Sequence, residues 1–216
     1  MEPFTLPEGK PERSGEVYTF GNGAKYVGAI RNGKMHGFGS YEDPTGSKYT
    51  GDWKDGKQHG QGVCETVDGE RYSGAYVTGM PSGQGTYRFK NGNIYEGQYQ
   101  DGKICGHGTI RFPDNRRFEG EFKDNKKNGH GRYEGANGIY EGSYVDGKKC
   151  GHGVFTWIDG SRYEGPWDRD VMHGDNGTKV EKDGRTFQVS YANGKLGHAT
   201  AKAPASNAMS HTTSLP

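Results

Sequence analysis

The sequence predicts an all-β fold of consecutive antiparallel β-hairpins, and three observations support this prediction. A triplet of an aromatic residue, any residue and glycine recurs at a nearly fixed interval; glycine accounts for 39 of 216 residues; and Leu, Ile, Val and Phe are scarce. The scarcity excludes the aliphatic core of a helical bundle or a doubly wound sheet. It is also typical of disorder, but disorder requires a high net charge, and this chain carries only +1.

The triplet defines a repeat, and we call its first residue the anchor. Successive anchors are 23 residues apart except for one step of 22, and a decayed eighth copy follows 24 residues after the seventh. A period held this closely is the signature of a repeat protein. The anchors are Tyr26, Tyr49, Tyr72, Tyr95, Phe118, Tyr140 and Tyr163, with Phe187 in the degenerate eighth copy.

The anchor begins a strand with an aromatic face. Glycine stands two residues after the anchor and a second aromatic residue four after it, and positions i, i+2 and i+4 of a strand share one face. The glycine leaves room between the two rings for a neighbouring side chain or backbone. From the second copy to the seventh, the second aromatic residues are Trp53, Tyr76, Tyr99, Phe122, Tyr144 and Trp167.

Two turns complete each repeat. Glycine stands seven residues after most anchors, and the exceptions Asn125 and Asp170 are residues that tolerate a positive φ. A second set of turn residues, such as Asp68-Gly69, stands just before the anchors. Between the turns, short segments such as Thr86 to Phe89 alternate polar with apolar side chains, as a second strand would.

The segments Tyr49 to Gly62 and Tyr95 to Gly102 resemble the MORN repeat, approximately Tyr-x-Gly-x-Trp-x-x-Gly-x-x-x-Gly-x-Gly. The resemblance covers residues 17–198, with seven clear copies and a degenerate eighth. Asn176 replaces the last glycine of the seventh copy, and Val189 replaces the glycine of the eighth. It implies an elongated, twisted single sheet, often with a groove along one face. Residues 1–16 and 199–216 are expected to be flexible tails.

No catalytic, cofactor or metal site is expected. Cys105-Gly-His107 and Cys150-Gly-His152 resemble zinc ligands in type, but they stand two repeats apart, about 20 Å in a regular stack. The sequence contains no phosphate-binding loop, metalloprotease motif or nucleophile elbow. Family members that are enzymes carry separate catalytic domains, and the ends of this sequence are too short for one. We therefore expect a protein that is not an enzyme.

The leading hypothesis is a scaffold that binds other proteins through its aromatic face. The candidate contact residues are the second aromatic residues Trp53, Tyr76, Tyr99, Phe122, Tyr144 and Trp167, which could receive an apolar helix or an extended peptide. The alternative is that these rings mainly pack on one another. Among family members, the uninterrupted array and Gly160 to Gly165 most resemble the MORN proteins of the radial spoke head in motile cilia and flagella.

This resemblance implies radial spoke head subunits as partners, a second copy or another MORN protein as an alternative, and a location in the cytoplasm, cytoskeleton and axoneme. The sequence shows no secretory signal and no apolar run long enough to span a bilayer. Its balanced charge argues against nucleic acid. A second hypothesis is an adaptor for acidic phospholipids, with the basic candidates Arg116, Arg117, Lys123, Lys126, Lys127, Lys148 and Lys149.

Overall fold

A computed structural model describes residues 17–202, which form eighteen β-strands and no helix. Consecutive strands pair as antiparallel hairpins, which confirms the predicted all-β fold. The last strand extends to Ala201, three residues beyond the predicted end of the array. The predicted tail at 1–16 and residues 203–216 of the other tail lie outside the described residues. No helix in the described part of the chain is long and apolar enough to cross a membrane.

The described residues divide into two compact units, and the first contains residues 17–135. Within this unit of eleven strands, each strand except the last pairs with the one that follows it along the chain. They are β1 (Val17–Thr19), β2 (Lys25–Arg31), β3 (Lys34–Glu42), β4 (Lys48–Lys54), β5 (Lys57–Glu65), β6 (Arg71–Val77), β7 (Met80–Arg88), β8 (Ile94–Gln100), β9 (Lys103–Arg111), β10 (Arg117–Lys123) and β11 (Lys126–Gly135).

The second unit contains residues 136–202 and seven strands. Its hairpins continue the pattern, except that β14 pairs with both the two-residue β15 and the longer β16. The strands are β12 (Gly138–Val145), β13 (Lys148–Trp157), β14 (Arg162–Asp168), β15 (Val171–Met172), β16 (Gly174–Val180), β17 (Thr186–Ala192) and β18 (Lys195–Ala201).

The two sets of turns have different geometries. In the turn after each second aromatic residue, both central residues have a positive φ, as in Asp55 (51°) and Gly56 (82°). This is the type I′ geometry whose twist matches that of the flanking strands. Asn125 (67°) and Asp170 (76°) adopt the same conformation, as predicted. In the turn before the anchor only one residue has a positive φ, usually a glycine, as at Gly69 (84°), whose N–H donates to the carbonyl of Thr66.

A β-bulge interrupts the second strand of most repeats. The register shifts between Gly51 and Trp53 of β4, opposite Gly60 of β5, which has a φ of 62°. The bulge adds two residues to β5: Gly62 pairs with Gly51 and Gln58 pairs with Trp53, so a step of four residues on β5 matches a step of two on β4. The two glycines of the Gly-x-Gly motif therefore have different roles. The first permits the bulge, and the second lies opposite another glycine.

Candidate protein-binding face

Each anchor ring lies flat over a pair of glycines on neighbouring strands. The Tyr49 ring covers Gly51 on its own strand and Gly62 on the next, and a Cβ atom at Gly51 would stand 2.7 Å from Tyr49 Oη. A Cβ at Gly62 would also overlap the ring. The predicted space beside the glycine is thus filled by the ring of the anchor itself. The same glycine pairs underlie the anchors Tyr26, Tyr72, Tyr95, Phe118, Tyr140 and Tyr163.

The hydroxyl groups of the tyrosine anchors form hydrogen bonds with the backbone. Tyr49 Oη donates to the carbonyl of Asp52 at 3.0 Å, and Tyr72 Oη donates to that of Ala75 at 2.9 Å. Four more tyrosine anchors make the same bond, whereas Phe118 has no hydroxyl to donate. Burial raises the pKa of Tyr72 to about 12, because an ionised phenol would be poorly solvated there. These phenols are neutral structural groups at neutral pH.

The second aromatic residues pack edge-on between successive anchors. Trp53 lies 5.6 Å from Tyr26 and 5.0 Å from Tyr49 between ring centroids, at interplanar angles of 81° and 84°. Its indole N–H donates to the carbonyl of Gly39 at 3.1 Å. Within the first unit these edge-to-face contacts continue from ring to ring as far as Phe118. In the second unit Tyr140, Trp167, Tyr163 and Tyr191 form a similar series.

This packing buries the six predicted contact residues. Their exposed fractions range from 3% to 7%, so most of each side chain is covered by its neighbours. These rings make extensive contacts with other rings of the same face. This is the arrangement described by the alternative hypothesis, in which the rings mainly pack on one another. Any partner would meet only their outer edges and the side chains around them. The rings are Trp53, Tyr76, Tyr99 and Phe122 in the first unit, and Tyr144 and Trp167 in the second.

An apolar groove opens on the aromatic face of the first unit. It has a volume of about 580 Å³, and Trp53 forms part of its floor. Phe20 is 40% exposed at its edge. Thr78, a β-branched residue with a φ of 50°, also lines the groove, in a conformation that such residues rarely adopt. The other principal lining residues are Met35, Tyr41 and Gln58.

A second cavity of about 260 Å³ shares Gln58 and Gly79 with the first groove. Its walls include Cys64, Pro81 and Tyr87, which lie on second strands. These second-strand residues were not predicted from the sequence, because the prediction used only the repeat positions that hold the same type of residue in most copies. The signal was available in the alternation of the second strand, since the register pairs Tyr41 and Cys64 with Tyr49 on the same face.

Most of the basic residues considered for lipid binding already have partners within the chain. Arg116 Nε lies 2.7 Å from Asp114, and Arg117 pairs with Glu119. Lys127 Nζ lies 4.4 Å from the centroid of the Phe118 ring. Lys149 Nζ lies 4.7 Å from the Tyr140 ring and 5.0 Å from the Trp167 ring, and burial lowers its pKa. The side chains of Lys123, Lys126 and Lys148 are exposed.

The three cysteines are free and half-buried. Burial raises the pKa of the Cys64 thiol, which keeps it protonated at neutral pH. In the range 17–202, no group of three or more His, Cys, Asp or Glu residues is arranged to hold a metal ion.

A family model described as "MORN repeat" matches more than half of the chain, in six copies. The matched residues are 26–48, 49–71, 72–94, 95–115, 118–139 and 140–162. The predicted seventh and eighth copies, anchored at Tyr163 and Phe187, lie after the matched residues. A search of curated protein sequences gives no significant match.

Two solved structures resemble the structure of this chain. The TCP domain of SAS-4 (dCPAP) from Drosophila melanogaster, in complex with a proline-rich motif of Ana2, is 12% identical with a TM-score of 0.44, covering 86% of this chain and 96% of that one. The TCP10 domain of Danio rerio CPAP, in complex with a STIL peptide, is 14% identical with a TM-score of 0.41, covering 85% and 92%. Both TM-scores are low, so neither likeness bears on function.

Proposed function

The chain belongs to the MORN repeat family, and from that premise we propose that it is a non-catalytic scaffold of the radial spoke head in motile cilia or flagella. MORN repeats are protein-interaction modules, generally without catalytic activity. The proposal adds the partners, which are other structural proteins of the spoke head, and the location, which is the axoneme within the cytoskeleton. The uninterrupted array of copies supports it, since spoke head MORN proteins share that organisation.

The observation that carries the scaffold role is the groove on the aromatic face of the first unit. It joins apolar side chains, Met35 and Tyr41 among them, to the edge of a buried ring, Trp53. Exposed apolar surfaces mark interaction sites, and aromatic residues are favoured as anchors of protein interfaces. A partner helix or extended peptide with one large apolar side chain would fit a groove of about 580 Å³. The proposed contact therefore centres on this groove.

The location is tested by expressing the tagged chain in cells that assemble motile cilia. The proposal expects the protein in the axonemal fraction after detergent removes the membrane, and co-extraction with radial spoke subunits when salt is raised. Recovery in the detergent-soluble fraction, with no axonemal enrichment, would overturn the ciliary part of the proposal. Recovery on membranes before detergent would favour the lipid adaptor.

The groove is tested by a pair of matched substitutions in the same cells. Met35→Asp places a carboxylate inside the groove and is expected to reduce co-extraction with spoke subunits at least fivefold. Val67→Asp introduces the same charge at a residue that is 68% exposed and lies outside the groove. It is expected to leave co-extraction unchanged. Equal effects of the two substitutions would argue against the groove as the contact.

A further inference from the structure

The face opposite the anchors carries a continuous row of residues across the first unit. Each member stands one position before an anchor or is paired with such a residue on a neighbouring strand. Because side chains alternate along a strand, this row lies on the face that the anchor rings do not occupy. In strand order from β2 to β11, it reads Lys25, Glu42, Lys48, Glu65, Arg71, Arg88, Ile94, Arg111, Arg117 and Glu134.

The pattern of charge in this row changes along the unit, from alternating signs to pairs of like charges. From Lys25 to Arg71 the sign alternates at every strand, and Lys48 Nζ lies 3.5 Å from Glu42. Beyond that point arginine is paired with arginine twice, Arg71 with Arg88 and Arg111 with Arg117. Like charges placed directly opposite each other on one face of a sheet destabilise it. The second half of the row therefore opposes the stability of the isolated fold.

Neighbouring carboxylates relieve only half of this repulsion. Arg111 Nη1 lies 3.1 Å from Glu96, and Arg117 is paired with Glu119 on the same face. Within residues 17–202, Arg71 and Arg88 form no ion pair, and Arg117 Nε is enclosed without a hydrogen-bond partner. We call this cluster of four arginines around Ile94 the arginine row. Glu65 and Glu134 stand opposite its two ends, Arg71 and Arg117, so the positive charge that no ion pair in the described residues neutralises is centred on the Arg71–Arg88 pair.

The spacing of the arginine row favours a helix over an extended peptide as its occupant. Strands lie about 4.8 Å apart, so the row spans about 19 Å with Ile94 at its centre. A helix rises about 1.5 Å per residue, so its positions i, i+3, i+7, i+10 and i+14 share one face at about 0, 4.5, 10.5, 15 and 21 Å. An extended chain presents same-face residues about 6.7 Å apart, which would miss the paired arginines.

We propose that the arginine row binds an acidic amphipathic helix of a partner protein, with carboxylates at i, i+3, i+10 and i+14 and an apolar residue at i+7. The carboxylates meet Arg71, Arg88, Arg111 and Arg117, and the apolar residue meets Ile94. Glu96 and Glu119, which lie among the arginines, disfavour a broad anionic surface such as a membrane. The proposal rests on the scaffold role but not on the ciliary location, and it uses the opposite face from the groove.

A synthetic helix tests this directly with the full chain. The probe is an 18-residue, lactam-stapled peptide with Glu at the four positions and Leu at i+7, labelled for fluorescence anisotropy. The expected result is saturable binding that weakens as salt is raised, since exposed charge pairs are screened. A peptide with the same composition, but with its glutamates distributed around the helix, is expected to bind at least fivefold more weakly. Equal binding of the two peptides would overturn the proposal.

Matched variants identify the surface. Arg71→Gln with Arg88→Gln is expected to weaken binding about tenfold, whereas Lys25→Gln with Lys48→Gln removes the same charge from the alternating half and should change it less than twofold. Equal losses would overturn the proposal. The urea midpoint of the arginine variant should not fall, because a like-charge pair has been removed. Binding to vesicles containing phosphatidylserine that depends on Arg71 and Arg88, with no helix binding, would assign the row to membranes and overturn the proposal.

Discussion

The two faces of the sheet in the first unit differ in what their side chains contact. On one face, anchor and second aromatic rings cover glycine pairs and one another, and Tyr26, Tyr95 and Phe118 have no exposed surface. On the other face, side chains such as Arg111 and Glu96 remain more than half exposed. A sheet of one layer can therefore make its own core on one face, provided that glycine leaves the rings room to lie flat. The other face is free to vary in charge.

The largest expected difference between the two faces is in their response to alkaline pH, because only the aromatic face depends on buried, neutral phenols. Burial raises the pKa of Tyr72 and Tyr163 to about 12, and raises that of Tyr49 and Tyr95 further. In the unfolded chain these phenols ionise near pH 10, so above that pH the unfolded state binds fewer protons than the native state. The stability conferred by neutral phenols is complete below pH 10 and is lost as pH rises toward 12.

This pH dependence can be followed by urea denaturation and tyrosinate absorbance together. The midpoint of unfolding should fall steeply above pH 10, and tyrosinate should appear in step with loss of the sheet. If most of the phenols ionised near pH 10 while the sheet stayed intact, the aromatic face would not be the core described here.

Truncating an anchor ring should have the next largest effect. Tyr72→Ala removes a buried ring and two edge-to-face contacts, and it should lower the free energy of unfolding by about 3–5 kcal/mol. Ser73→Ala changes the adjacent residue on the opposite face and should stay within about 0.5 kcal/mol of the unsubstituted protein. Urea unfolding of both variants checks the contrast, which fails if their losses are similar.

Filling the space under a ring should have a somewhat smaller effect. Gly62→Ala places a Cβ against the Tyr49 ring and is expected to cost about 1–3 kcal/mol, because the ring must shift within a packed face. Gly21→Ala serves as the control, since a Cβ there meets no atom within 4 Å. Equal stability of the two variants, measured by thermal or urea unfolding, would mean that the ring is not confined by the glycine pair.

The smallest predicted effect concerns the anchor hydroxyls. Tyr72→Phe removes the 2.9 Å bond to Ala75 while keeping the ring, and should cost about 1 kcal/mol. Phe118→Tyr is the reverse change at the one phenylalanine anchor of the matched repeats, and should gain a similar amount if its hydroxyl reaches the equivalent carbonyl. A loss of 3 kcal/mol or more for Tyr72→Phe would show that the ring itself had moved.

Much of this architecture follows from the sequence because the repeat fixes both period and alternation. The 23-residue spacing predicts the hairpins, and the positive φ of Asn125 and Asp170 could be predicted because these residues replace glycine at a turn. The clustering of aromatic residues on one face follows from their i, i+4 spacing. These features depend on local backbone geometry, which a repeated sequence specifies many times over.

The remainder depends on register, which spacing alone does not determine. The sequence could not show that Gly51 faces Gly62, and hence that one ring covers both, because a bulge at Gly60 sets that pairing. Nor could it show that Arg71 faces Arg88. The six rings of the candidate binding face were identified as one column, but their burial depends on contacts between different repeats.

The last copy shows what happens when the glycine pair is absent. Val189 there is paired with Ala199, and Phe187, in the anchor position, is only half-buried. The strand that follows, β18, is exposed along its whole length. A ring cannot lie flat over two side chains that carry Cβ atoms, so this copy buries Val189 and Tyr191 instead.

The central claim is that each anchor ring and the glycine pair beneath it form one structural unit, and a double-mutant cycle between Tyr49 and Gly62 tests it most directly. Urea unfolding is measured for Tyr49→Leu, Gly62→Ala and the double variant. The account predicts strong coupling: Gly62→Ala should cost about 1–3 kcal/mol in the original chain and much less when Tyr49 is leucine, because no ring then lies over the glycine. Additive losses, within about 0.5 kcal/mol, would contradict it.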